Sequence, residues 1–102
     1  MRKVINRKVY DTETAEAICE SIFSNRRDFH YCWETLYRTK KGAFFLYGEG
    51  GQLSGYSKTV GQNEWSGGEN IRLLTVEEAM AFVEENGTCE LYEECFGSLE
   101  EG

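Results

Sequence analysis

Apolar and polar positions alternate in short stretches over the first half of the chain. Residues 4–10 form two β-prone arms around an Asn-led turn, which predicts a short hairpin. A second hairpin is predicted with arms at 35–38 and 43–47, because Gly42 in the turn supplies the positive φ that such turns favour. The apolar run at 71–74 predicts one further strand.

Helical periodicity appears in three places. Asp11 and Thr12 offer N-cap oxygens, and apolar residues then recur at i, i+3, i+4, i+7 and i+8, which predicts a helix over residues 12–23. Its buried face would consist of Ala15, Ile18, Cys19, Ile22 and Phe23. Thr75 and Glu78 have the spacing of a capping box, which predicts a second helix that Gly87 ends. Thr88 can cap a third, short helix.

The order of these elements predicts an α+β fold. We expect a small antiparallel sheet, made of two hairpins plus one strand, packed against three helices. A chain of 102 residues is long enough for one modest core, so residues 1–102 are expected to form a single domain. Residues 48–70 hold seven of the eleven glycines. A connection of this length within a compact domain is commonly functional.

Composition places the chain among folded, cytoplasmic proteins. Hydrophobic residues make up 40% and aromatic residues 14% of the sequence, which is too rich for intrinsic disorder. No apolar run approaches the roughly 18 residues of a membrane span. The basic start at residues 1–6 has no apolar stretch after it, unlike a signal peptide. In a reducing cytoplasm the four cysteines are expected to be free thiols.

Charge is distributed unevenly along the chain. Residues 1–58 carry ten basic and seven acidic side chains, whereas residues 59–102 carry one basic residue, Arg72, and eleven acidic ones. The net charge is −7. A field of one sign repels nucleic acid and attracts basic surfaces.

The predicted C-terminal helices carry most of this negative charge. Glu77 and Glu84, like Glu78 and Glu85, are seven residues apart and therefore lie two turns along one side of a helix. Such a row of carboxylates can imitate a DNA strand, which carries one phosphate per about 3.4 Å. The alternative is that glutamate, a good helix former, only solvates an outer face. The candidate partner-binding glutamates are Glu77, Glu78, Glu84, Glu85, Glu90, Glu93 and Glu94.

The single histidine suggests a zinc or thiol-dependent site as a further alternative. Asp28, His30 and Cys32 share one face if their segment is a strand, but neighbours on that face stand about 6.6 Å apart. A hydrogen-bonded catalytic triad needs about 2.6–3.2 Å. Adding Cys19 does not give the ligand pairs, two to four residues apart, that a structural zinc site shows. We therefore expect no catalytic residue, no metal and no cofactor.

Basic residues near the turns support another alternative, a small nucleic-acid-binding or regulatory module. Aromatic side chains at Tyr31, Trp33 and Tyr37 are interleaved with them. The isoelectric point near 4.7 opposes general nucleic-acid binding. The basic residues concerned are Arg2, Lys3, Arg7, Lys8, Arg26, Arg27, Lys40 and Lys41.

Three stretches of the sequence carry a family resemblance. They are VINRKVYDTETAE (4–16), ETLYRTKKGAFFLYGEGG (34–51), and SGGE (66–69) followed by LTVEEA (74–79). Over most of residues 3–85 the chain resembles a family of small uncharacterised proteins of about this length from phages and conjugative elements of Gram-positive bacteria. That family usually has Asn-Gly in the first turn. Arg7 replaces the glycine here, which predicts a looser or longer hairpin.

The resemblance implies a mobile element in a bacterial host. By analogy, small acidic proteins of such elements are often inhibitors of host defence, including anti-CRISPR proteins that occupy nucleic-acid channels. We therefore expect a non-enzymatic inhibitor of a basic partner, such as a Cas effector or another defence nuclease. The C-terminal helices would act as the nucleic-acid mimic, and Tyr56 and Trp65 in the glycine-rich loop would be apolar anchors.

Overall fold

The computed structural model describes residues 1–23, 31–51, 58–61, 64–66 and 68–102. Within them the chain forms three antiparallel sheets and two helices. The strands are β1 (Arg2–Ile5), β2 (Lys8–Asp11), β3 (Glu16–Phe23), β4 (Cys32–Arg38), β5 (Phe44–Gly50), β6 (Lys58–Gly61), β7 (Glu64–Ser66) and β8 (Gly68–Leu74). The helices are α1 (Val76–Asn86) and α2 (Cys89–Phe96).

The central sheet has the strand order β3-β4-β5-β8. Its β4–β5 hairpin confirms the second predicted hairpin, and Gly42 has the expected positive φ, at 88°. Strand β8 confirms the strand predicted at 71–74 and begins earlier, at Gly68. Strands β6 and β7 pair with each other as a separate two-stranded sheet within the glycine-rich loop.

Both faces of the central sheet are covered. Phe44 and Leu46 on β5 pack with Ala79 and Val83 of α1, which places the helices on one face. Phe45 points to the other face because side chains alternate along a strand. There it packs with Tyr10 of β2 and Ile71 of β8. The domain therefore has three layers, in which the sheet lies between the helices and the β1–β2 hairpin.

The β1–β2 hairpin confirms the first predicted hairpin but corrects its turn. Ile5 pairs with Lys8, so the loop contains two residues, Asn6 and Arg7, with φ of 51° and 66°. Positive φ at both positions is the pattern of a tight type I′ turn. The expectation of a looser or longer turn was therefore wrong. Lys3 fastens this hairpin to the sheet, because its Nζ donates to Asn70 Oδ1 at 2.7 Å.

The helix predicted over residues 12–23 is wrong, since residues 16–23 form strand β3. The local capping signal at Asp11 is real: its Oδ1 accepts from the Glu13 amide at 2.9 Å, and its carbonyl accepts from the Ala15 amide at 3.1 Å. Only one turn results. The chain then continues as β3, which runs beside β4 and forms backbone hydrogen bonds with the edge of that strand. The fold is α+β as predicted, with two helices in the described residues rather than three. The first hairpin forms a sheet of its own instead of joining the central sheet, where β3 lies beside β4.

The two C-terminal helices form as their capping residues predict. Thr75 Oγ1 accepts from the Glu78 amide at 3.1 Å, and Glu78 Oε1 accepts from the Thr75 amide at 3.0 Å, so the capping box is complete. Thr88 Oγ1 accepts from the Leu91 amide at 3.1 Å and starts α2. Gly87 ends α1, with its amide donating to the Val83 carbonyl.

Candidate functional site

The acidic side of α1 faces away from the sheet. Ala79 and Val83 are fully buried against the sheet and fix which side of the helix is internal. The four glutamates of this helix are exposed, on the remaining part of its circumference. They are Glu77, Glu78, Glu84 and Glu85.

Helix α2 is oriented by its aromatic residues. The Phe96 ring lies 5.4 Å from that of Phe44 in the sheet and 5.0 Å from that of Tyr92 in the same helix. Leu91 and Tyr92 also pack against the core beneath the helices. The three glutamates of α2 are exposed on its other side, and they are Glu90, Glu93 and Glu94.

Little positive charge opposes these seven carboxylates. Arg72 Nη1 lies 3.7 Å from Glu78 Oε2, which is the one ion pair that the described residues make with this group. Arg2 and Arg38 pair instead with Asp11 and Glu16 in the strand region. The acidic helical surface, meaning the seven glutamates of α1 and α2, therefore keeps most of its charge.

Glu78 differs from the other six because it also caps the helix. The backbone and side-chain hydrogen bonds with Thr75 lower the pKa of its carboxyl, and Arg72 contributes in the same direction. Glu78 is therefore held in the charged form by local structure. Its oxygens are partly engaged, so we assign it a smaller share in any contact with a partner.

The predicted apolar anchors are only partly placed. Tyr56 lies outside the described residues. Trp65 belongs to β7, where it pairs with Thr59 of β6. Their role as anchors stays a prediction.

Burial opposes thiol reactivity at three of the four cysteines. Cys19, Cys32 and Cys95 are half-buried, and burial is the main cause that raises the pKa of each thiol. A raised pKa reduces the thiolate fraction, and the thiolate is the reactive form. Cys89 is exposed, at the first position of α2.

Register separates the two cysteines of the zinc alternative. Cys32 on β4 pairs with Phe23 on β3. Cys19 lies four residues before Phe23 on β3 and pairs with Leu36. Four residues of strand span about 13 Å. Two thiolates cannot bind one ion over this distance, because each Zn–S bond is about 2.3 Å long. Asp28 and His30 lie outside the described residues. Within the described residues, no three side chains of His, Cys, Asp or Glu are placed together so that they could hold a metal ion.

The structure also brings together basic residues that sequence reasoning treated separately. Lys8 of the first hairpin and Lys40 and Lys41 of the second turn line one groove of about 390 Å³. Their separation in sequence hides this arrangement. The three lysines come together because of the way the β1–β2 hairpin lies on the sheet, and no local sequence pattern predicts that orientation. We refer to this feature as the basic groove.

Comparison with known proteins adds no identification. Family models, curated proteins and solved structures give no match to this chain. The resemblance to proteins of mobile elements therefore stays a prediction. Neither helix of the described chain is long and apolar enough to cross a membrane.

Proposed function

We propose that this chain is a non-enzymatic accessory protein of a mobile element, and that it inhibits a basic, nucleic-acid-handling defence protein of the host. A Cas effector is the most specific candidate partner. The acidic helical surface would occupy the channel that normally holds the nucleic-acid backbone. The observation that carries the proposal is the outward exposure of seven glutamates, of which only Glu78 makes an ion pair, with Arg72, within the part of the chain that the structure describes.

Electrostatics explains how such a surface would compete with nucleic acid. Carboxylates on two adjoining helices attract a basic channel over several ångströms and accelerate the encounter. Once docked, they replace phosphates as counter-charges of lysines and arginines in the channel. Complementary charge of this kind contributes more to association rate and specificity than to affinity, so apolar contacts must add to it.

Apolar contacts are available next to the charge. Val76, at the start of α1, is 48% exposed, and Leu99, just after α2, is 44% exposed. Both lie on the same C-terminal segment as the glutamates. They can supply apolar area at the edge of the acidic helical surface, in addition to Tyr56 and Trp65.

The test is competition with nucleic acid on a purified Cas effector loaded with its guide. Fluorescence anisotropy of labelled target DNA measures how much of it the protein displaces. Replacement of Glu77, Glu84, Glu90 and Glu94 by Gln should weaken displacement of the DNA at least tenfold. Added salt should likewise weaken displacement by the unmodified protein, because it screens the charges of the glutamates. The control variant changes Glu13, Glu16, Glu100 and Glu101 to Gln, which removes the same number of charges outside the helices.

The two variants separate a specific surface from net charge. The proposal requires that the control variant displaces DNA almost as well as the unmodified protein. Equal weakening in both variants, or displacement that does not respond to the helical substitutions, would reject the acidic helical surface as the inhibitory element.

A further inference from the structure

The basic groove lies between the β1–β2 hairpin and the β4–β5 turn. One wall is formed by residues 8–11 of β2, and the other by residues 39–41 of the turn. Thr14 and Ala43 complete the lining. Because the hairpin and the helices cover opposite faces of the sheet, this groove and the acidic helices belong to different layers of the domain.

Positive charge dominates the basic groove. Lys8, Lys40 and Lys41 are exposed, and within the described part of the chain none of their ammonium groups has a carboxylate within 4.0 Å. The groove contains one acidic residue, Asp11. Its Oδ2 lies 3.3 Å from Arg2 Nε, and its Oδ1 accepts from a backbone amide. The Asp11 charge is therefore already compensated, and three lysine charges remain.

Hydroxyl groups accompany the lysines. Thr39 Oγ1 accepts from the Ala43 amide at 3.0 Å, which leaves its hydroxyl proton available to donate. The turn that carries Lys40 and Lys41 is held by two backbone hydrogen bonds, from the Thr39 amide to the Ala43 carbonyl at 2.8 Å and from the Gly42 amide to the Thr39 carbonyl at 2.9 Å. The donors are thus presented by an ordered turn.

We propose that the basic groove binds a small phosphorylated ligand, with a phosphate group between Lys8 and the Lys40–Lys41 pair. Ammonium and hydroxyl donors form short, charge-assisted hydrogen bonds with phosphate oxygens. The volume of about 390 Å³ falls in the range of small-molecule sites, roughly 300–1,000 Å³. Val9 and Ala43 offer apolar area for the uncharged part of the ligand.

Size and charge favour a small ligand over a polynucleotide. A strand of nucleic acid would extend beyond the groove and meet the field of a protein with net charge −7. A phosphate or diphosphate group is small enough for the groove, and its negative charge can be balanced by the three lysines that line it. The inference does not depend on the proposed inhibitory function, because it uses a different layer of the domain.

The experiment is an NMR titration of the full chain with inorganic pyrophosphate. Amide shifts should concentrate at residues 8–11 and 39–43 and saturate with a dissociation constant of about 1 mM or lower. The Lys8→Gln and the Lys40→Gln, Lys41→Gln variants should each weaken binding about tenfold or more. Arg7→Gln is the matched control, because Arg7 neighbours Lys8 in sequence but does not line the groove.

Three results would overturn the inference. One is the absence of groove shifts up to about 10 mM pyrophosphate, a concentration at which even weak sites fill. Another is equal weakening by Arg7→Gln, since that would indicate a diffuse field rather than a site. The last is tighter binding of a short oligothymidylate through the same lysines, which would assign the groove to nucleic acid instead. The amide spectrum of each variant also shows whether the fold is retained.

Discussion

Gly87 and Val83 approach each other so closely that no side chain fits between them. A Cβ atom built on Gly87 would lie 2.9 Å from Val83 Cγ1 and 3.0 Å from the Val83 carbonyl oxygen. The φ of Gly87 is −108°, a value that other residues adopt freely. Glycine is therefore required here for space at the junction of α1 and α2, and the positive φ common at helix ends plays no part.

Gly87→Ala should destabilise the domain by about 1–3 kcal/mol, the usual range for an overpacked position. The new methyl group would also push against Leu91 Cδ2, at 3.1 Å, and shift α2 relative to α1. Urea unfolding monitored by circular dichroism measures the change. Gly102→Ala is the control, because no atom lies within 4 Å of a Cβ at that position. A stability loss within experimental error would contradict the tight junction.

Thr75→Ala should lower the stability by about 1 kcal/mol, as loss of an N-cap side chain usually does. The substitution removes the acceptor of the Glu78 amide and leaves that donor to water. Thermal unfolding of the variant measures the effect. Thr12→Ala is a comparison outside the helices, since among the described residues the Thr12 hydroxyl forms hydrogen bonds with Met1 alone. An unchanged melting temperature in Thr75→Ala would show that the cap contributes little.

The capping box also makes stability depend on pH. The folded-state pKa of Glu78 is lowered from its ordinary value of 4.5, so its contribution is present above that pH and is lost as the pH falls through the folded-state pKa. Glu78→Gln should therefore be less stable than the unmodified protein at neutral pH, and the difference should shrink in acid. In a Thr75→Ala background, which removes the Thr75 side chain from the capping box, the difference made by Glu78→Gln should be smaller. Melting temperatures across the acidic range provide the measurement.

Tyr47 stands between two carboxylates that face each other across β5 and β8. Its hydroxyl donates to Glu69 Oε2 at 2.6 Å and lies 3.4 Å from Glu49 Oε2. Burial, followed by the bond and the charge of Glu69, raises the pKa of Tyr47 far above its ordinary value of 10.0. The stabilisation by the neutral hydroxyl is therefore present below pH 10 and is lost as the pH rises further.

Tyr47→Phe should remove a late-ionising component from the alkaline titration followed by tyrosinate absorbance. It should also destabilise the domain by about 1 kcal/mol at neutral pH, the net value of one hydrogen bond. Tyr37, whose pKa burial also raises, should still ionise late in this variant. Loss of a component near pH 10 in place of the late one would mean that Tyr47 ionises like an ordinary tyrosine.

Thiol reactivity should follow exposure. In the native protein a disulfide reagent should modify Cys89 faster than Cys19, Cys32 and Cys95, because burial raises the pKa of those three. Cys89→Ser should remove the fast phase, and unfolding should equalise the remaining thiols. Elemental analysis of the purified protein tests the zinc alternative at the same time. One zinc per chain would support that alternative and contradict the separation of Cys19 from Cys32.

The elements best predicted from sequence were those encoded by short-range chemistry. The turn at Gly42 and the caps at Thr75 and Thr88 depend on a few neighbouring residues, and each formed as expected. The acidic helical surface was predictable for the same reason. Once the helices are placed, the buried positions Ala79 and Val83 determine where the glutamates point.

Strand β3 was misread because a bulge disturbs its alternation. The register with β4 shifts between Ala17 and Cys19, so two consecutive residues, Ile18 and Cys19, both pack on the core beneath the helices. Ile18 and Cys19 follow Ala15 by three and four positions, which is the spacing of apolar residues along one face of a helix. Ile22, which belongs to the predicted stripe, is 58% exposed. Residues 16–23 form a strand because they pair with β4, and the sequence of this segment alone does not contain that information.

The same bulge has a consequence for the behaviour of the protein at high concentration. In the described chain β3 is an outer strand of the central sheet, and a long regular outer strand invites a second molecule to add its own strand and begin a fibril. An irregular backbone at Ala17–Cys19 disrupts such an addition, and the exposed carboxylate of Glu20 repels an identical copy. The bulge that gave β3 the sequence pattern of a helix thus also opposes polymerisation.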